Sequence, residues 1–190
     1  MKIMKSFASL LIMLISLFSI NAQETVTVGG VSLPKKVTSD GTNLVYNGAG
    51  IRSKYGFNLY VGALYLKRPS MDANKIINDD VSMGIHIHII SDKVTREKFL
   101  ETVGEGFNSV SHGKATEAEK NKLKGFFSDP IKKGDKIRLE YSSGSGVKVY
   151  KNGVYKGVIS GLEFKKALFS IWLGTKPPST DLKNKMLGKV

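Results

Sequence analysis

Cysteine is absent from the 190-residue chain, and tryptophan occurs once, as Trp172. Without cysteine there are no disulfides, no thiol nucleophile, no thiolate metal site and no sulfur for lipid attachment. Long apolar runs are nearly absent too. The one from Phe7 to Ile20 falls short of the ~20 residues a helix needs to span a bilayer. Acidic residues are few: 16 Asp and Glu stand against 29 Lys and Arg, for a net charge of +13. Only four of those cations are arginines: Arg52, Arg68, Arg96 and Arg138. There is no P-loop, no Rossmann glycine fingerprint, no HExxH and no serine in a GxSxG elbow, so those nucleotide and hydrolase chemistries are excluded. No cofactor is expected.

The length suits one domain, and a 41% hydrophobic content supports a packed core. Residues 1–22 read as a secretory signal: Lys2 and Lys5, the apolar run, then Ala22 before Gln23. Residues 23–190 are expected to be the domain, exported to the periplasm or secreted. Cleavage after Ala22 removes Lys2 and Lys5, so +13 − 2 leaves +11. That charge favours anionic partners. Export, and lysines scattered without an aromatic-interleaved stripe, argue against nucleic acid. No transmembrane segment is expected in the mature form.

Alternating and helical periods alternate in blocks along the chain. "TVTVGGVSLP" reads as a first strand, followed by "NLVYNGAGIR", "FNLYVGALYL" and "VSMGIHIHII". Between the last two, "SMDANKIIND" is a short helix with Ser70 as N-cap. Leu100, Val103, Phe107 and Val110 share one helical face. Thr116 and Glu119 form a capping box before Leu123, Phe126 and Phe127. Residues 93–127 are therefore two helices. A meander follows, with a type I′ signal at Asn152-Gly153. Ser160 and Glu163 form a second capping box, opening a helix that ends at Gly174, and Ser179 or Thr180 caps a last one. Strands grouped around helices give an α+β domain.

Two features offer chemistry. His86 and His88 lie two apart on one strand, so both face one side and can share a metal if His112 or a carboxylate supplies a third ligand; the alternative is a pair of half-exposed strand histidines. The second feature is "YNGAGIRSKYGFNLYVGALYLK". With Lys54-Tyr55-Gly56 as a three-residue loop, residue 52 faces 58 and 50 faces 60. Ile51, Phe57, Leu59, Val61 and Ala63 then share an apolar face. Gly48, Gly50, Arg52, Asn58, Tyr60, Gly62 and Leu64 share the other. A strand glycine often marks close approach of a ligand or another backbone. Arg52 offers a planar fork and Tyr60 a hydroxyl to an oxyanion. The hairpin reads as an anion-binding corner beside bare sheet, or as sheet filled by helix side chains.

The same stretch, with "FNSVSHGKATEAEKNKLKGFF", "GDKIRLEYSSGSGVKVYKNGVYKGVISGLEFKKALFSIWLG" and "PPSTDLKNKMLG", resembles chalcone isomerase-fold proteins, most of all an exported bacterial chalcone isomerase-like group. The likeness runs from about residue 25 onward. It implies an open-faced β-sandwich: a large antiparallel sheet with helices packed on one face and a ligand cleft between. In the plant enzymes the matching arginine steadies a phenolate during cyclisation, so Arg52 is implied as the oxyanion group. Tyr60 stands where those enzymes have threonine, His112 near their cleft tyrosine, Glu119 near their asparagine, and Ser170 or Ile171 near their late hydroxyl residue. Only the arginine is retained. Fatty-acid-binding members of the fold hold the carboxylate with an arginine and a tyrosine, which Arg52 and Tyr60 resemble.

Two functions follow. In the first, the protein carries a fatty acid or similar apolar carboxylate. Arg52 and Tyr60 hold the head group beside Gly48, Gly50 and Gly62, and Phe107, Leu123, Phe126, Leu168 and Trp172 line the tail. In the second, it is an isomerase (an intramolecular lyase) acting on a phenolic or enone substrate, with Arg52 and Tyr60 stabilising the oxyanion and His112 titrating near neutral pH.

Overall fold

The computed structural model describes residues 23–189. The expected signal sequence lies outside the described residues. Seven antiparallel strands pair in chain order: β3 (Lys36–Ser39), β4 (Thr42–Lys54), β5 (Phe57–Leu66), β6 (Met83–Ile89), β7 (Lys136–Ser142), β8 (Gly146–Lys151) and β9 (Val154–Ile159). The first strand expected from "TVTVGGVSLP" is instead a separate two-stranded hairpin, β1 (Thr25–Val28) and β2 (Val31–Pro34). Gly29 and Gly30 adopt φ +56° and +77°, which turns the chain where alternation alone suggested continuity.

Strand alternation divides the side chains into two layers. Ile85, Ile87, Ile137, Leu139, Val147 and Val149 point to the helices and build the main core. The helices are α1 (Ala73–Asn78), α2 (Arg96–Asn108), α3 (Glu117–Gly125), α4 (Leu162–Leu173) and α5 (Thr180–Met186). Helix α4 is buried almost throughout, from Phe164 and Lys165 through Ala167–Leu173. Its start differs from expectation. Gly161 is the N-cap with no side-chain cap bond, and Glu163 pairs with Lys166 at 2.7 Å instead of closing a box with Ser160. At α1 the cap is Asp72 rather than Ser70. The Thr116–Glu119 capping box is present, and Ser179 caps α5. On α2 the buried residues are Phe99, Val103 and Phe107, with Leu100 only partly buried.

Lys165 is fully buried. Its Nζ donates to the carbonyls of Ile76 and Ile77 at 2.8 Å and of Asp79 at 2.7 Å. These are carbonyls that the end of α1 leaves without intrahelical partners. Burial pulls this ammonium down to about 8. The lysine ties α1 to α4. Among the described residues no helix is long and apolar enough to cross a membrane.

The opposite sheet face is only partly covered. The β1–β2 hairpin brings Leu33, Val28 and Val31 over Leu44, Ala49, Ile51, Val61, Ala63 and Tyr65, and the Tyr65 hydroxyl donates to the Pro34 carbonyl at 3.0 Å. Beyond it lies a polar network around His86 and Glu140. His86 Nε2 and Glu140 Oε1 are 3.0 Å apart, Ser39 Oγ donates to Glu140 Oε2 at 2.8 Å, and Arg138 stands 3.3 Å from the same carboxylate. Among the described residues no three His, Asp or Glu side chains gather to hold a metal ion.

Burial pulls the His86 imidazole below its usual value, although Glu140 opposes it. Burial brings His88 down to about 4. Burial alone would raise Glu140, but hydrogen bonds from His86 and Ser39 and the charge of Arg138 hold its carboxyl low. All three folded values lie below the unfolded ones. As pH falls from about 6.5 towards 4, unfolded histidines take up protons that the folded chain refuses, so stability falls. From His88 we expect a loss of about 2 kcal/mol over that window, discounted because its ring is partly exposed, with His86 and Glu140 adding in the same direction. Urea denaturation at stepped pH measures it, and His88→Gln should flatten the slope.

Candidate functional site

The β4–β5 hairpin closes through a two-residue loop, with Lys54 opposite Phe57. Tyr55 and Gly56 take φ +52° and +79°, the left-handed pair of a type I′ turn. A three-residue loop was expected, and the change alone would move Arg52 off the face of Tyr60. An irregularity between Arg52 and Ser53 inserts Leu59 as an extra residue and restores the parity. Arg52 thus lies directly opposite Tyr60, not diagonal to it. The bulge also corrects the placement of Phe57 and Leu59. They join the Tyr60 side and line the cavity below, instead of packing beside Ile51.

That cavity has a volume of about 380 Å³, within the ~300–1,000 Å³ range of small-molecule sites. Its walls run between the hairpin tip, the start of α2 and the end of α4. Leu59, Tyr60, Val94, Phe99, Val103, Ile171 and Trp172 supply the apolar surface, while Lys54, Lys93, Lys98, Glu101 and Glu105 bring charge to it. Trp172 Nε1 donates to the Tyr60 hydroxyl at 3.1 Å. Among the described residues no group accepts the Tyr60 proton, so it is free to be donated. Burial raises the Tyr60 phenol, against the Trp172 hydrogen bond and the nearby charge of Arg52. The tyrosine stays neutral and keeps its proton. Arg52 is half-buried, donates to the Ser53 carbonyl, and forms no ion pair among the described residues.

The remaining candidates separate. Gly48, Gly50 and Gly62 are not a ligand floor, because α5 occupies the space above them. A Cβ at Gly48 would lie 2.1 Å from the Lys185 carbonyl oxygen, at Gly50 2.9 Å from Lys185 Cβ, and at Gly62 3.3 Å from Leu182 Cδ1. The glycines serve close approach of this chain's own helix. Trp172 joins the cavity. Phe107 and Leu123 line a smaller groove of about 170 Å³ between α2 and α3, which shares Val103 with the main cavity. Phe126 lies instead over Gly157, where a Cβ would meet its ring at 2.3 Å. Leu168 is sealed in the core. His112 stands outside the cavity, its Nδ1 2.9 Å from the Ser111 hydroxyl. Glu119 is committed to its capping box.

Sequence reasoning missed Val94, Phe99, Val103 and Ile171 as walls. The signal was present, since Phe99 and Val103 are i, i+4 neighbours on α2. A second cavity of about 410 Å³ adjoins Leu66, Lys67, Arg68, Ile76 and Met83. The Lys75–Asp79 pair, at 2.6 Å, stands on its rim, and it contains none of the expected site residues.

Comparison with known proteins agrees with the sheet and helix order described above. A fatty-acid binding protein of Arabidopsis thaliana shares the fold with a TM-score of 0.70 at 18% identity, over 86% of this chain and 96% of its own. No curated protein matches. The model of the chalcone isomerase-like family matches residues 25–188. The match takes in β1 through α5, hence the cavity and both members of the Arg52–Tyr60 pair, and the chain belongs to the chalcone isomerase-like family.

Proposed function

We propose that the protein is an exported carrier that binds a fatty acid or similar apolar carboxylate in the cavity beside Tyr60. The observation that carries this reading is a buried tyrosine with an uncommitted proton, at an apolar cavity and paired on the neighbouring strand with an arginine that forms no ion pair among the described residues. The tail lies along Leu59, Val94, Phe99, Val103 and Ile171, where each buried methylene contributes about 0.8 kcal/mol. The carboxylate accepts from Tyr60, with Arg52 supplying charge. The shared fold of the Arabidopsis fatty-acid binding protein is consistent with it.

The isomerase reading keeps Tyr60 as an oxyanion donor at the cavity, with Arg52 paired beside it rather than in the lining, but loses the titrating group assigned to it. His112 is not at the cavity, and no histidine lines it. The carrier reading therefore stands ahead.

A calorimetric titration without vesicles, comparing hexadecanoate with hexadecanol, tests it. The two share a tail and differ in the head group. The carboxylate should bind at least about ten-fold tighter, the worth of one charge-assisted contact. Equal affinities, or no binding of either, would overturn the reading.

A further inference from the structure

Among the described residues, two exposed aromatic side chains stand at the mouth of the cavity. Tyr55 is 86% exposed and Phe57 52%, both on the β4–β5 tip. Packing does not explain Tyr55. Local conformation does not explain it either, because φ +52° is a setting that favours asparagine or glycine over an aromatic residue. An aromatic residue is held here at a conformational cost and turned to solvent.

Its surroundings are cationic. Lys54 Nζ lies 5.2 Å from the Tyr55 ring centroid, and Lys93 Nζ 5.8 Å from that of Phe57. Lys98 lines the same mouth, and Arg52 precedes the turn. Among the residues lining the mouth the lysines, Lys54, Lys93 and Lys98, outnumber the acids Glu101 and Glu105 by one. Asp92 neighbours Lys93, Glu97 pairs with Arg96 at 3.8 Å, and Glu101 and Glu105 lie one and two turns farther along α2. An amphipathic tyrosine and an apolar phenylalanine flanked by lysines are the composition of a lipid headgroup interface.

We propose that the β4–β5 tip docks the protein on anionic lipid bilayers, with Tyr55 and Phe57 entering the headgroup region and Lys54, Lys93 and Lys98 on acidic headgroups. Docking sets the cavity mouth against the membrane, so that an apolar ligand passes between bilayer and protein without crossing water. The passage of ligand rests on the reading of the cavity above, whereas the docking itself does not.

Vesicle flotation tests it, with phosphatidylcholine vesicles that contain phosphatidylglycerol or lack it. The wild type should float with the anionic vesicles and be released by salt. Lys93→Ser should cut partitioning about five-fold. Tyr55→Asn suits the turn better, so it should melt no lower than wild type while partitioning falls roughly ten-fold. That combination rules out misfolding as the cause. The proposal is overturned if the wild type does not float, or if Tyr55→Asn floats like it. A dimer in sedimentation that depends on Tyr55, without flotation, would also overturn it and assign the patch to self-association. Flotation without fatty-acid binding in vesicle-free titration removes the ligand reading alone. Fatty-acid binding without flotation removes docking alone.

Discussion

Gly48→Ala should destabilise the protein by about 4 kcal/mol, more than an ordinary core substitution, because the atoms it strikes are backbone. The added Cβ would stand 2.1 Å from the Lys185 carbonyl oxygen and 2.8 Å from that of Met186. Neither oxygen can rotate away, so α5 must move as a body. That movement breaks the hydrogen bond from Asn47 Nδ2 to the Met186 carbonyl, 2.9 Å, and unseats the buried Leu182 and Met186. Asn47 Nδ2 also donates to the Ser70 carbonyl at 3.0 Å, and the Ser70 N–H donates to Asn47 Oδ1 at 2.8 Å, so the disturbance reaches the β5–α1 connection. Urea denaturation gives the magnitude, and hydrogen exchange should show α5 losing protection first. Gly62→Ala is the contrast. Its new Cβ meets only flexible side-chain ends, Leu182 Cδ1 at 3.3 Å and Met186 Sδ at 3.6 Å, and should cost about 1 kcal/mol. If Gly48→Ala unfolds within 1 kcal/mol of wild type, α5 is not seated on the sheet as described.

Arg52→Ala should weaken fatty-acid binding by about ten- to forty-fold while leaving the fold intact. A hydrogen bond to a charged partner contributes about 1.5–3 kcal/mol, and partial exposure of Arg52 places the effect in the lower part of that range. The fold survives because Arg52 is half-buried and forms no ion pair among the described residues. Tyr60→Phe removes the donor and also the acceptor of the Trp172 N–H, so it should lower both affinity and stability. The two substitutions therefore separate by a melting curve. Unchanged affinity in Arg52→Ala would leave the carboxylate without its arginine.

The hairpin shows how sequence and structure relate here. The shared face of Arg52 and Tyr60 is legible in the alternation, yet it arises by a route the alternation does not contain. A shorter loop shifts the register by one and the Leu59 bulge shifts it back. Phe57 and Leu59, caught between the two shifts, change sides. The glycine set was legible as a close approach, since Gly48, Gly50 and Gly62 share a face. What approaches was not, because α5 is more than 110 residues away along the chain and only the fold brings it there. Local capping signals fared unevenly for a physical reason. Thr116–Glu119 is exposed and free to close its box, whereas the start of α4 adopts φ +103° at Gly161, a backbone that Ser160 cannot cap. Helix-face residues such as Phe107, Leu123, Phe126 and Leu168 were rightly read as apolar. Periodicity, however, does not say whether an apolar side chain meets a cavity, a groove, a glycine or the core. Trp172 reaches the site because its indole N–H needs a partner and Tyr60 provides one.

The central claim is that the Tyr60 cavity holds an apolar carboxylate with Arg52 assisting. Native mass spectrometry of wild type and Arg52→Ala, purified side by side without detergent, tests it most directly. The account predicts a retained adduct in the wild type, released on denaturation as a long-chain carboxylic acid, and its depletion in Arg52→Ala. Equal loading of the two proteins, or an adduct with no carboxylate, would contradict it.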